Sequence, residues 1–96
     1  MNKKIKIAIL GMGYVGLPLA IESGKHFKTI GYDIDISKVD SLKLNIDENN
    51  EITKNEIKES KKLTFTSNIN DIAFCNFYII CVPTPIDKNK KQISVF

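Results

Sequence analysis

Ile5-Lys6-Ile7-Ala8-Ile9-Leu10-Gly11-Met12-Gly13-Tyr14-Val15-Gly16 is the stretch that decides the fold. A short, nearly continuous apolar run bounded by glycine predicts a parallel strand covered on both faces, over 4–10 and ending at Leu10. Beyond the glycines, Leu17, Ala20, Ile21 and Gly24 recur at helical spacing, which predicts a helix over Val15 to Gly24. Pro18 is compatible with it, because a first-turn residue has no intrahelical N–H bond to lose. Gly24 reads as a left-handed C-terminal cap. The glycine spacing G-x-G-x-x-G is weak evidence alone. Between a strand and a helix, with Asp33 about twenty positions on, it becomes a dinucleotide-binding fingerprint.

The rest of the chain supplies a matching frame. Thr29 to Tyr32 reads as a second strand ending at Asp33, and Gly31 within it signals close approach of a neighbouring backbone. Ser37 and Asp40 resemble a capping arrangement for a second helix whose apolar face is Val39, Leu42 and Ile46. Asp35 reads as a helix-entry residue ahead of a ribose ligand. After a polar interruption at Asp47 to Glu51, Thr53 and Glu56 form a capping-box pattern, with Ile52 and Ile57 at the two positions of a hydrophobic staple. That predicts a short helix over Thr53 to Lys61. Leu63 to Thr66 alternates like a half-exposed edge strand. Ser67 or Asn68 would cap a turn or two of helix through Ile69, Ile72 and Ala73. Phe77 to Val82 is the most apolar run and reads as a central buried strand, left abruptly at Pro83-Thr84-Pro85. Strands alternating with helices imply a Rossmann-type α/β parallel sheet with strand order 3-2-1-4 and the glycine loop at its carboxyl edge.

At 96 residues the chain is at most one small domain. No apolar run approaches the length of a membrane span, and Lys6 with the glycines interrupts what would be a signal-peptide core, so a cytoplasmic protein is expected. The formal charge of +3 comes from scattered lysines without the aromatic or groove-reading elements of a nucleic-acid binder. Cys75 and Cys81 have no histidine nearby and read as buried, reduced thiols, not metal ligands.

Each part of the loop has a task its residue type can perform. Gly11 permits the tight turn out of the strand, Gly13 removes a side chain that would block a diphosphate, and Gly16 lets the helix pack closely on the sheet. Free N–H groups around Met12, Tyr14 and Val15, with the helix dipole, would receive the pyrophosphate. Asp33 would accept hydrogen bonds from the adenosine ribose and repel a 2′-phosphate, which favours NAD over NADP. Lys38 is close enough to temper that repulsion. Tyr14 belongs at the mouth of the site.

Gly11-Met-Gly-Tyr-Val-Gly-Leu-Pro18, Gly31-Tyr-Asp-Ile-Asp35 and Val82-Pro-Thr-Pro-Ile-Asp87 together resemble the start of the UDP-glucose/GDP-mannose dehydrogenases. The Leu17-Pro18 and Pro83-to-Asp87 variants look most like the branch acting on UDP-N-acetylhexosamines, which includes the Vi polysaccharide dehydrogenases. The resemblance implies oxidation of a sugar C6 alcohol to a carboxylate in two successive steps, each reducing NAD⁺, through a cysteine of a later glycine-rich motif. Neither Cys75 nor Cys81 matches that motif, so no catalytic residue is assigned within this chain. Gly11, Gly13, Gly16 with the backbone between them, Asp33, Lys38 and Thr84 carry over as cofactor-binding positions. Thr84 would lie near the pyrophosphate or nicotinamide ribose, or else merely belong to a stiff Pro-Thr-Pro turn. Family members usually have a glycine where Leu44-Asn45 ends the second helix, so a different turn is expected there. The resemblance also implies that residues 1–96 are the first part of the NAD-binding domain of a longer enzyme, with the UDP-sugar site elsewhere and a homo-oligomer left open. Two other readings stand beside it: a nucleotide-sensing regulatory domain, which shares the glycine loop and acidic strand end, and a degenerate remnant that binds nothing.

Overall fold

A computed structural model of the chain describes residues 4–81. Four parallel strands, β1 (Lys6–Leu10), β2 (Lys28–Tyr32), β3 (Leu63–Thr66) and β4 (Phe77–Ile80), form one sheet in the order β3-β2-β1-β4. The helices between them are α1 (Gly16–Gly24), α2 (Ile36–Lys43), α3 (Lys54–Glu59) and a 3-10 turn at Ile69–Ile72. Strand order and element order are those expected from the sequence.

β1 is the central strand. Ala8 faces Ile30 of β2 on one side and Tyr78 of β4 on the other, and the two residues Ala8 and Ile9 are fully buried. Period-two alternation sends Ile7 and Ile9 to one face and Ala8 and Leu10 to the other. On the first face Ile9 packs with Leu17, Ala20 and Ile21 of α1, Val39 and Leu42 of α2, and Ile57 of α3. On the second face a smaller cluster gathers Ala8, Ile30, Ile72 and Cys75. The start of β4 is tied to β1 by Asn76, whose side chain accepts the Lys6 N–H at 2.9 Å while its own N–H donates to the Lys6 carbonyl at 2.8 Å.

Helix boundaries follow from caps. Asp35, not the Ser37–Asp40 pair, caps α2: its carboxylate accepts the Lys38 N–H at 3.2 Å and the Ser37 hydroxyl at 2.9 Å. An aspartate with extended backbone just outside the helix reaches the free N–H groups, which Ser37 inside the first turn cannot do. α2 ends in a Schellman turn, with Asn45 N–H donating to the Leu42 carbonyl and Ile46 N–H to that of Ser41. Asn45 takes the left-handed conformation (φ 66°) that glycine would otherwise fill. Ile46 therefore lies past the helix and is exposed, while Val39 and Leu42 are buried. The α3 capping box is complete, with Glu56 N–H donating to Thr53 Oγ1 at 3.1 Å and Thr53 N–H donating to Glu56 Oε1 at 2.8 Å.

Three other expectations are corrected. Gly24 is not left-handed; the cap position is Lys25, with ordinary right-handed geometry. Gly24 is small because a Cβ there would overlap Ser60 Oγ and approach Leu63 Cβ to 2.6 Å. The neighbour close to Gly31 is side chain, not backbone: a Cβ would lie 2.6 Å from the Met12 sulfur and 3.1 Å from Phe65 Cδ1. Finally, β4 lies at the edge of the described sheet, with Phe77 54% and Tyr78 45% exposed and Cys81 buried just after it; Val82 lies outside the described residues. Its apolar character had suggested burial on both faces. The helices on one face and the 3-10 turn on the other centre on β1 and leave the start of β4 uncovered.

Candidate functional site: the glycine loop and the end of the second strand

The chain leaves β1 through Gly11, whose φ of 105° is open to glycine and strained for other residues. Its N–H donates to the Tyr32 carbonyl at 2.7 Å, so the loop starts still attached to β2. At Gly16 a Cβ would overlap the Gly11 carbonyl oxygen and touch Cys81 Cβ at 3.4 Å. The third glycine thus lets α1 begin directly against the loop and the end of the sheet. Gly13 is different. It has no left-handed backbone, and a Cβ there would meet nothing within 4 Å. Neither packing nor backbone geometry requires glycine at 13; the open space in front of it does not belong to the fold.

That space continues into a cleft of about 510 Å³ lined by Gly11, Gly13, Tyr32, Asp33, Asp35 and Lys38, among others. α1 points its amino end towards the loop with no side-chain cap and no acidic residue in its first turn. Gly13 supplies the first helical acceptor, its carbonyl receiving the Leu17 N–H at 3.1 Å. An uncapped helix start with its positive dipole end is favourable ground for a negative group. Tyr14 is 73% exposed beside it and lines a separate, smaller cleft with Gly13 and Asp47.

Asp33 closes the other side of the cleft. Its Oδ2 accepts the Met12 N–H at 2.8 Å and its Oδ1 accepts the Asp35 N–H at 2.9 Å. Each carboxylate oxygen has capacity for a second donor. Met12 does not line this cleft: its N–H goes to Asp33 and its side chain is buried in the core under Gly31. Asp35 is committed to capping α2, and the Ser37 hydroxyl, then the Lys38 N–H, hold its carboxyl below the usual carboxylate range. Lys38 lines the cleft near Asp33, where the sequence placed it. Val15 is the residue immediately before α1 and is half exposed. Thr84 lies outside the described residues.

Sequence reasoning missed Asp47. It is buried, and its carboxylate accepts three backbone N–H groups, from Asn49 at 3.1 Å, Glu51 at 2.8 Å and Ile52 at 2.9 Å. The loop it organises faces Gly13, Tyr14 and Pro18 across a small cleft of about 90 Å³. The signal was present, since an aspartate opening a polar stretch commonly bonds to the backbone that follows it.

The geometry fits a dinucleotide. The vacant volume before Gly13 and the uncapped helix start suit a diphosphate, and Asp33 suits a ribose diol. Comparison with known proteins agrees. Residues 5–95 match the model of the UDP-glucose/GDP-mannose dehydrogenase family, NAD binding domain. The chain is 50% identical over 88 residues to UDP-N-acetyl-D-glucosamine 6-dehydrogenase of Salmonella typhi, covering 92% of this chain and 21% of that protein. It is 47% identical over 91 residues to the protein CapL of Staphylococcus aureus, covering 95% of this chain and 21% of CapL. The structure of UDP-D-ManNAc dehydrogenase from Pyrococcus horikoshii superposes with a TM-score of 0.77 at 31% identity, over 90% of this chain and 22% of that one. The chain thus spans about a fifth of the length of these relatives. It belongs to the UDP-glucose/GDP-mannose dehydrogenase family, to the family's NAD-binding domain.

Proposed function

We propose that residues 1–96 are the amino-terminal part of the NAD-binding domain of a nucleotide-sugar 6-dehydrogenase. Its substrate is a UDP-N-acetylhexosamine, with UDP-glucose the next candidate, and its product is a polysaccharide precursor. The observation that carries the cofactor assignment is the open volume at Gly13 between an uncapped helix start and Asp33. Backbone N–H groups at Gly13, Tyr14, Val15 and Gly16 receive the pyrophosphate. Met12 contributes through the loop's shape. Asp33 accepts the ribose hydroxyls and Lys38 flanks them, and the family resemblance adds Thr84 to the cofactor-binding positions. NAD supplies the hydride acceptor when bound. These residues hold and orient it and place no acid, base or nucleophile at a reacting carbon, so oxidation of the sugar rests on residues other than these.

Isothermal titration of the chain with NAD⁺ and NADP⁺ tests the reading. NAD⁺ is expected to bind more tightly, and Asp33→Ala to weaken it. Tighter NADP⁺ binding, or no change with Asp33→Ala, would overturn the cofactor assignment.

A further inference from the structure

A cleft larger than the cofactor cleft, and sharing no lining residue with it, runs along the outer edge of the sheet. It measures about 600 Å³ and lies between the end of α2, α3 and β3. Leu42, Ile57 and Phe65 form its apolar floor, and Lys43, Lys58 and Lys61 stand around it; no carboxylate among the described residues lines it. The ion pairs found among the described residues both involve Glu22, so none of these lysines is neutralised by one.

Among the described residues, the strand beside this groove has a free side. β3 is the last strand of the sheet formed by the described residues. Thr29 N–H donates to the Lys62 carbonyl and Asp33 N–H to that of Thr66, so alternate residues of this stretch turn their backbone to β2. By the same alternation, the N–H and carbonyl of Phe65 turn outward. An apolar floor, a cationic rim and an outward backbone pair therefore coincide in one place. We propose that this groove docks an extended acidic segment of a partner protein, which adds as a further strand along β3.

Lysines beside an edge strand ordinarily prevent edge-to-edge pairing. Here they also choose the occupant. A second copy would bring its own lysines against these, so self-pairing is repelled, whereas a segment bearing glutamate or aspartate is drawn in. A small anion would satisfy the lysines but leave both the apolar floor and the outward backbone groups of Phe65 unused. An extended segment uses all of them, through main-chain bonds for affinity and alternate side chains for selectivity.

The test titrates the 96-residue chain with a fluorescein-labelled peptide of alternating glutamate and valine, read by anisotropy. Saturable binding is expected, weakened about tenfold or more in a Lys43→Glu/Lys58→Glu/Lys61→Glu chain, with the Phe65 amide gaining hydrogen-exchange protection. N-methylating the central amides of the peptide should abolish binding while leaving the protein untouched, so this arm does not depend on the variant folding. Undiminished binding of the N-methylated peptide, equal binding of a lysine–valine peptide, or displacement by inorganic phosphate at concentrations matching the peptide would each overturn the proposal. So would a dimer whose formation the lysine substitutions leave unchanged and which excludes the peptide.

Discussion

The Asp33 carboxylate holds the Met12 backbone N–H at 2.8 Å, across 21 positions of sequence. The acid assigned to the ribose is therefore also the anchor of the loop assigned to the diphosphate. Asp33→Ala should remove both functions, destabilising the free chain by about 1–3 kcal/mol and lowering NAD⁺ affinity. Asp33→Asn keeps an oxygen for Met12, so it should retain more stability while still losing affinity. Urea unfolding alongside titration calorimetry checks this; equal stability of all three proteins would count against the anchoring role.

Gly13 and Gly16 should respond in opposite ways to one added methyl group. Gly13→Ala places its Cβ in empty space, so the melting temperature of the free chain should hardly move while NAD⁺ binding drops. Gly16→Ala drives its Cβ into the Gly11 carbonyl, and the cost should be at least about 1–3 kcal/mol of overpacking. Thermal melts with and without NAD⁺ separate the cases. A stable, tightly binding Gly13→Ala chain would remove the main support for the cofactor cleft.

The caps of α2 and α3 make acid sensitivity a local property. Glu56 is held below its ordinary range chiefly by the Thr53 N–H, and Asp35 chiefly by the Ser37 hydroxyl. Both folded values are depressed. Their contribution is therefore complete above the ordinary carboxylate range and fades as pH falls through the lower folded values. Asp35→Asn and Glu56→Gln should flatten the loss of melting temperature below about pH 4. Thr53→Ala should cost about 1 kcal/mol at neutral pH, visible as a lower urea midpoint.

Burial raises the thiol pKa of Cys75 and of Cys81. Alkylation by iodoacetamide near pH 8 should be slow in the folded chain and rapid in urea. Fast modification of either thiol by intact-mass spectrometry, without unfolding, would contradict the packing around it.

What could be read in advance depended on how local the governing physics is. The glycine loop, the Thr53–Glu56 box and the alternation of strands with helices are short-range patterns, and the structure reproduces them. Gly24 and Gly31 were legible as glycines but not as to cause, because Ser60 and Met12, which occupy their missing side-chain volume, are distant in sequence. Phe77 to Ile80 was legible as a strand, but hydrophobicity marks a strand as fit for burial without saying what covers it. Asp33 was legible as a candidate ribose ligand and illegible as an anchor. Its bond to Met12 forms only after β1 and β2 pair, with Leu10 opposite Tyr32.

Met12 and Gly31 compete for one volume, since a Cβ at 31 would come within 2.6 Å of the Met12 sulfur. A side chain at 31 pushes the end of Met12 aside, and a shorter residue at 12 relieves that contact. Lineages of this chain should therefore show the two sites drifting in step, a coupling read from family sequences without any experiment on the protein.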